Sequence, residues 1–306
     1  MRLISDADVA EVITMRDAVV AMAAAFEQFG NGAGSIAPRV RAAAEHGNQT
    51  TAIATMGAAL PAAGVVGAKV YATVNGQFNF VIVLFSSVTG EALAAIEANE
   101  ITKYRTAAAS AVAMQRLAAR DARTLAIFGC GVQARAHAEA FLLGHPFERV
   151  LVAGRAAAPE FANWVQTEFG VPAVAVDAGT AARGGDVICT ATRAVDPLFD
   201  GGLVKRGAFI AAVGSSKPTS RELDDTLLSR ADLIVVEWLP AARTEAGEFV
   251  RAAPGTVDPA RVTELGKLLV KGTPFERRPH DIIVYKSVGI GLEDVALANL
   301  VFERVR

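Results

Sequence analysis

Two patterns of hydrophobic and polar positions divide the chain. From about Thr124 onward, short runs of Val, Ile, Leu and Ala without polar alternation recur: "TLAIFG", "RVLVAGR", "AVAVD", "DVICTAT", "FIAAVG" and "LIVVEW". Continuous apolar runs of this length suit parallel strands buried on both faces. The stretches between them, among them 133–143, 159–169 and 222–229, are expected as helices, which makes this part a doubly wound parallel sheet of the α/β class.

The first 115 residues read differently. A helical start over 6–30 precedes extended runs punctuated by Gly, Asn and Thr, "TTAIATM", "VVGAKVYATV" and "NFVIVLFSS", and the turn "VTGE" leads into "ALAAIEA". Successive strands of this kind predict a smaller α+β domain with a largely antiparallel sheet. A helical pattern over 106–120 connects the two parts. In the final segment, "LEDVALANLVFERV", Leu292, Val295, Ala296, Leu300 and Val301 fall on one helical stripe. The expected division is therefore 1–115 together with 290–306, and 116–289.

Composition narrows the function classes. The 306 residues are 52% apolar and 20% charged, with a formal net charge of −2, so the chain is globular. No basic cluster exceeds Lys205-Arg206 or Arg277-Arg278, which argues against nucleic acid and for a small-molecule partner. The two cysteines, Cys130 and Cys189, form no disulfide framework or metal pattern, and a reducing cytoplasm is expected. The N-terminus lacks the features of a signal peptide, and no apolar run reaches the roughly 18 residues needed to span a bilayer.

The chemistry begins at "TLAIFGCGVQARAHAEAF". Gly129 allows a tight strand-to-helix turn, Gly131 lets the backbone approach a pyrophosphate, and Ala134 permits close helix–strand packing. The helix start at Val132 and Gln133 offers free N–H groups and a partial positive charge to an anion. This is a Rossmann-type dinucleotide site. An NAD site usually places an acid about 20 residues further on, but "VAGRAAAPE" has none before Glu160, and Arg155 stands there instead. A guanidinium suits a 2′-phosphate, so NADP(H) is preferred over NAD(H), the alternative being that Arg155 is a solvated loop residue. Thr190, Ala191 and Thr192 end a strand on the side where open α/β sheets bind ligands and are expected to line the cleft.

The stretches "EITKYRTAAASAVAMQRLA" and "AIFGCGVQARAH", with "GSSKPTSRELDDTLL" and "YKSVGIGLEDVALANLVFERV", resemble the ornithine cyclodeaminase/mu-crystallin family over nearly the whole chain. The resemblance implies a homodimer whose N-terminal domain binds substrate and is joined by the returning C-terminal helix. It also implies nicotinamide chemistry at the Cα of an amino or imino acid. Three cations match the family pattern for holding the substrate carboxylate: Arg39 in "APRVR", Lys69 in "GAKVYAT" and Arg105 in "YRTAA". Lys69 lies in an apolar strand pattern, so its pKa is expected to fall into a range useful for proton transfer. Thr106 and Ala107 are read as opening a helix that meets the cofactor phosphates, or as a simple helix cap.

Two positions depart from the cyclodeaminases, which carry an aspartate where Ser216 falls and a glutamate where Ala54 falls. Without those carboxylates the site lacks acceptors for a second ammonium and a departing ammonia, although Ser216 still offers one hydrogen bond to a substrate nitrogen. Glu97 is either a compensating carboxylate or a helix-end or salt-bridging residue. The reading that follows is an NADP-dependent reductase of a small, cyclic imino acid such as Δ1-pyrroline-2-carboxylate. Ornithine cyclodeamination, amino-acid dehydrogenation and a mu-crystallin-like ligand-binding role are the alternatives.

Overall fold

In a computed structural model that describes residues 1–305, the two hydrophobic patterns become two separate sheets, each in its own compact unit. The first unit holds β1 (Arg2–Ile4), α1 (Asp6–Val12), α2 (Met15–Gly30), β2 (Ser35–Ile36), β3 (Val40–His46), β4 (Gln49–Leu60), β5 (Val65–Val74), β6 (Gln77–Ser86) and β7 (Ala92–Glu97). Its strands are ordered β1-β7-β6-β5-β4-β2, with β3 paired to β4. All pairs are antiparallel except β1 with β7. The helix α3 (Asn99–Leu117) then leads out of this unit.

The second unit holds β8 (Thr124–Phe128), α4 (Val132–Gly144), β9 (Arg149–Ala153), α5 (Ala158–Phe169), β10 (Ala173–Val176), α6 (Ala178–Gly184), β11 (Val187–Thr190) and β12 (Phe209–Ala212). It continues with α7 (Asp225–Arg230), β13 (Leu233–Val236), α8 (Leu239–Glu245), α9 (Gly247–Val250), β14 (Val262–Glu264), α10 (Leu265–Leu269) and β15 (Ile283–Lys286). All eight strands are parallel, ordered β10-β9-β8-β11-β12-β15-β13-β14. Buried Ala126, Phe128, Ile188, Ile210, Ile234 and Val284 from neighbouring strands form one core, as a sheet covered on both faces requires. The strand order reverses between β8 and β11, the place where open α/β sheets bind ligands. The last helix, α11 (Gly291–Arg304), belongs to the first unit and packs on α2, β4, β5 and β6.

Several boundaries differ from those expected, each for a traceable reason. The helical start over 6–30 is two helices, because Thr14 and Asp17 form a second capping box that restarts the chain after α1. The helix expected over 106–120 begins at Asn99 and ends at Leu117. Its start is fixed from far away: the Asp6 carboxylate accepts hydrogen bonds from the Glu100 N–H and the Asn99 side-chain amide. The helix expected over 222–229 starts only at Asp225, where the Asp224 carboxylate accepts the Leu227 N–H and leaves Glu222 outside. The units divide inside α3, between Ala109 and Ser110, and again between Val288 and Gly289, with 269–272 joining the first unit. A helix that runs unbroken through the boundary carries no punctuation in the sequence to mark it. No helix among the described residues is long and apolar enough to cross a membrane.

Candidate functional site

The first unit gathers the three expected cations around two carboxylates. Lys69 projects from β5 on the face that carries Met56 and Ile82 of the flanking strands, which α11 covers, and is only 1% exposed. Its Nζ donates to Asp294 Oδ1 at 2.7 Å and lies 5.1 Å from the centre of the Phe80 ring. Arg105, in α3, is also buried; its Nη1 pairs with Glu293 Oε2 at 2.5 Å, and its Nε lies 3.3 Å from Asp294 Oδ1. Arg39, between β2 and β3 and half-buried, donates from Nη2 to the Gly289 carbonyl at 2.8 Å. Glu293 and Asp294 occupy the first turn of α11 and are fully buried.

Gly289 explains why this segment is glycine. Its φ is +74°, and a Cβ there would run into the Arg105 guanidinium, so a side chain would displace the cation as well as strain the backbone. The electrostatics follow from the packing. Three cations gathered around the buried Glu293 and Asp294 make a place suited to an incoming carboxylate. Burial, and then the Arg105 charge, lower the Lys69 pKa to about 8 against the opposing pull of Asp294.

The second unit carries the glycine loop. Gly129 has φ +107°, and a Cβ there would meet the Ala191 carbonyl oxygen at 2.5 Å, so the turn from β8 admits no side chain. Gly131, the residue before α4, is different: a Cβ there would meet no protein atom within 4 Å, and no side chain caps the helix start. The open space and the free N–H groups fit a phosphate group from outside the chain. Gly129, Gly131, Val132 and Gln133 line a cleft of about 890 Å³ that extends to Arg155 on one side and to Ala191, Thr192 and Gly214 on the other. Its size fits a dinucleotide. Arg155 is exposed, and its guanidinium has no hydrogen-bond or ion-pair partner among the described residues. The one acid lining this end, Asp177, caps α6 by accepting the Thr180 N–H at 2.9 Å and the Thr180 hydroxyl at 2.5 Å, which hold its carboxyl below the usual range.

Other expected site residues take different places. Thr106 and Ala107 do not open a helix: they lie within α3, the Thr106 hydroxyl donates to the Thr102 carbonyl, and Ala107 is fully buried, so the expected free N–H groups at a helix start are absent there. Thr190 is fully buried below the cleft and donates to Glu222. Ser216 is half-buried on the loop after β12, outside the residues that line the cleft. Glu97 is exposed and accepts the Asp6 N–H, the helix-end role rather than the compensating one. Ala54 lies opposite Tyr71, one alternate position from the Met56–Lys69 pair, and no carboxylate stands there. Two carboxylates that the sequence reading did not assign to the site, Glu293 and Asp294, stand beside the cations. Their signal in the sequence was two acids set between Leu292 and Val295, which a helix start ordinarily explains by the macrodipole alone. His137 is fully buried in α4 between the Gln133 carbonyl and the Ser110 hydroxyl.

Comparison with known proteins follows this geometry. A sequence model of the ornithine cyclodeaminase/mu-crystallin family matches residues 2–306. A Δ1-pyrroline-2-carboxylate reductase of Bacillus cereus is 34% identical over 237 residues, covering 76% of this chain and 71% of that protein. Among solved structures, a probable ornithine cyclodeaminase from Bordetella pertussis Tohama I is similar at a TM-score of 0.94 and 41% identity, covering 100% of this chain and 97% of the other. The Thermococcus litoralis Δ1-pyrroline-2-carboxylate reductase in complex with NADH and L-proline reaches a TM-score of 0.92 at 28% identity, covering 99% and 97%.

The buried charges make one stability prediction. Asp294→Asn leaves Lys69 and Arg105 with one carboxylate between them and is expected to lower the unfolding free energy by about 3–5 kcal/mol, measured by urea denaturation near neutral pH. An unchanged midpoint and slope would show that Asp294 does not hold the cluster.

Proposed function

The chain belongs to the ornithine cyclodeaminase/mu-crystallin family, and on that premise we propose that it is an NADP-dependent reductase of a small cyclic imino acid such as Δ1-pyrroline-2-carboxylate. The observation that carries this reading is the gathering of three cations, Arg39, Lys69 and Arg105, in one place in the first unit, with Lys69 and Arg105 buried. Clustered cations suit an α-carboxylate and disfavour a further ammonium.

The residues divide the work as follows. Arg39 and Arg105 hold the carboxylate, and fixing it sets the orientation of the adjacent carbon. Gly129, Gly131, Val132 and Gln133 hold the pyrophosphate of the cofactor, and the unpartnered Arg155 takes the 2′-phosphate that distinguishes NADP(H) from NAD(H). When bound, the nicotinamide supplies a hydride to the substrate carbon. Lys69 donates a proton to the imine nitrogen, directly or through a water, so the C=N bond becomes CH–NH. An ammonium with a pKa of about 8 is charged at neutral pH and gives up its proton readily.

Ornithine cyclodeamination fits less well, although the Bordetella structure carries that description. A substrate with a second ammonium needs a carboxylate to receive it, and Asp294 and Glu293 are committed to Lys69 and Arg105. A cytoplasmic homodimer belongs to the same reading. Val40, Ile53 and Val81, on one face of the first unit's sheet, are between 41% and 65% exposed, an apolar surface suited to a second copy.

Two outcomes test the proposal. Purified protein mixed with Δ1-pyrroline-2-carboxylate is expected to oxidise NADPH faster than NADH, and Arg155→Ala to raise the KM for NADPH about tenfold or more while leaving NADH nearly unchanged. Proline and ammonia from ornithine, with no NADPH oxidation, would contradict it. The second outcome concerns pH. If Lys69 is the proton donor, the rate falls as pH rises through about 8. Asp294 raises the Lys69 pKa, so Asp294→Asn moves that limb of the pH–rate profile to lower pH, whereas an unmoved limb would assign the proton elsewhere.

A further inference from the structure

One motif is not absorbed by this chemistry: "SRELD", in which Glu222 is fully buried and outside the lining of the cleft. Its carboxylate accepts four hydrogen bonds. Oε1 takes the Thr192 N–H and the Thr192 hydroxyl, both at 2.8 Å, and Oε2 takes the Thr190 hydroxyl and the Gly214 N–H, both at 2.7 Å. Thr190 is the last residue of β11, Thr192 lies two residues beyond it, and Gly214 comes just after β12. Thr192 and Gly214 line the cleft, so one buried side chain joins two parts of its wall.

A second tier holds this carboxylate in place. The Glu222 N–H donates to Glu248 Oε1 at 2.9 Å, Glu248 Oε2 pairs with Lys286 Nζ at 3.1 Å, and Lys286 donates to the Ser215 carbonyl at 2.8 Å. Glu248 is fully buried and Lys286 nearly so. The chain therefore invests two buried carboxylates and a buried lysine beneath a wall of backbone and small side chains.

The position of this wall says which half of a dinucleotide it serves. Arg155, at the end of β9, marks the adenosine side, and the strand order reverses between β8 and β11. A dinucleotide laid across that reversal puts its other half at the ends of β11 and β12. We infer that Glu222 is the positioning residue for the nicotinamide half of the cleft, acting through Thr192 and Gly214. The inference rests on the dinucleotide reading given above.

Chemistry explains why the residue is an acid. Each carboxylate oxygen faces a backbone N–H, from Thr192 on one side and Gly214 on the other. A glutamine in either orientation would turn its NH2 group against one of those donors. A buried backbone donor without an acceptor costs about 1–3 kcal/mol, so the wall would move to relieve it.

The test separates the two halves of the cofactor. Wild type and Glu222→Gln are titrated calorimetrically with NADPH and with 2′-phospho-ADP-ribose, which lacks the nicotinamide, and the fold is followed by circular dichroism. The variant is expected to bind 2′-phospho-ADP-ribose within about twofold of wild type and NADPH about tenfold more weakly or worse, with a reduced kcat and an unchanged KM for the imino acid. Equal losses for both ligands would show a structural role only, and no loss for either would show no role; both overturn the inference. If Glu222→Gln does not fold, Thr192→Val removes one hydroxyl donor and keeps the backbone bonds, and the same split, smaller, is expected of it, with its absence counting against the inference. Wild type that binds neither ligand would overturn the dinucleotide reading and this inference with it, whereas wild type that binds both isolates the outcome to Glu222.

Discussion

The carboxylate of Asp294 is the constraint on which the first unit's chemistry depends. Two cations, Lys69 and Arg105, lie beside one of its oxygens, and all three groups are buried. Charges taken from water in this way persist only when they are paired. The pairing dictates much around it: α11 covers the sheet face that bears Lys69, Gly289 leaves room for the Arg105 guanidinium, and Glu293 takes the remaining side of that guanidinium.

The second unit solves a different problem with the same economy of means. No side chain caps the start of α4, and the glycines on either side of Cys130 differ in what surrounds them. Gly129 is needed because the protein itself fills the space where a side chain would go. At Gly131 the protein leaves that space open. A single glycine-rich motif thus contains one position closed by the fold and one left open by it.

Much of this was legible in the sequence, and the parts that were not share a cause. The continuous apolar runs marked the parallel strands, because burial on both faces leaves no polar alternation. The three cations were found through motif resemblance, and the structure brings them together. Boundaries and partners set by distant residues escaped. Asp6 fixes the start of α3 across more than ninety positions, so local pattern placed that helix too late and gave Thr106 and Ala107 a helix end they do not have. Glu293 and Asp294 read as ordinary acids at a helix start because nothing nearby in the sequence reveals that Lys69 and Arg105 fold against them. Glu222 read as a helix residue for the same reason, its four hydrogen bonds coming from three residues at or just beyond two other strand ends.

The central claim is that the cluster of Arg39, Lys69 and Arg105 recognises a substrate carboxylate. Calorimetric binding of pyrrole-2-carboxylate and of its carboxamide, with NADPH present at saturation, tests it most directly. The two ligands share ring, size and planarity and differ by one negative charge. The account predicts that the carboxylate binds at least about a hundredfold more tightly, as loss of a charge-assisted pair in a buried site requires. Equal affinity for the two would contradict it, because the cluster would then be a structural feature of the fold and the ligand would be read by shape alone.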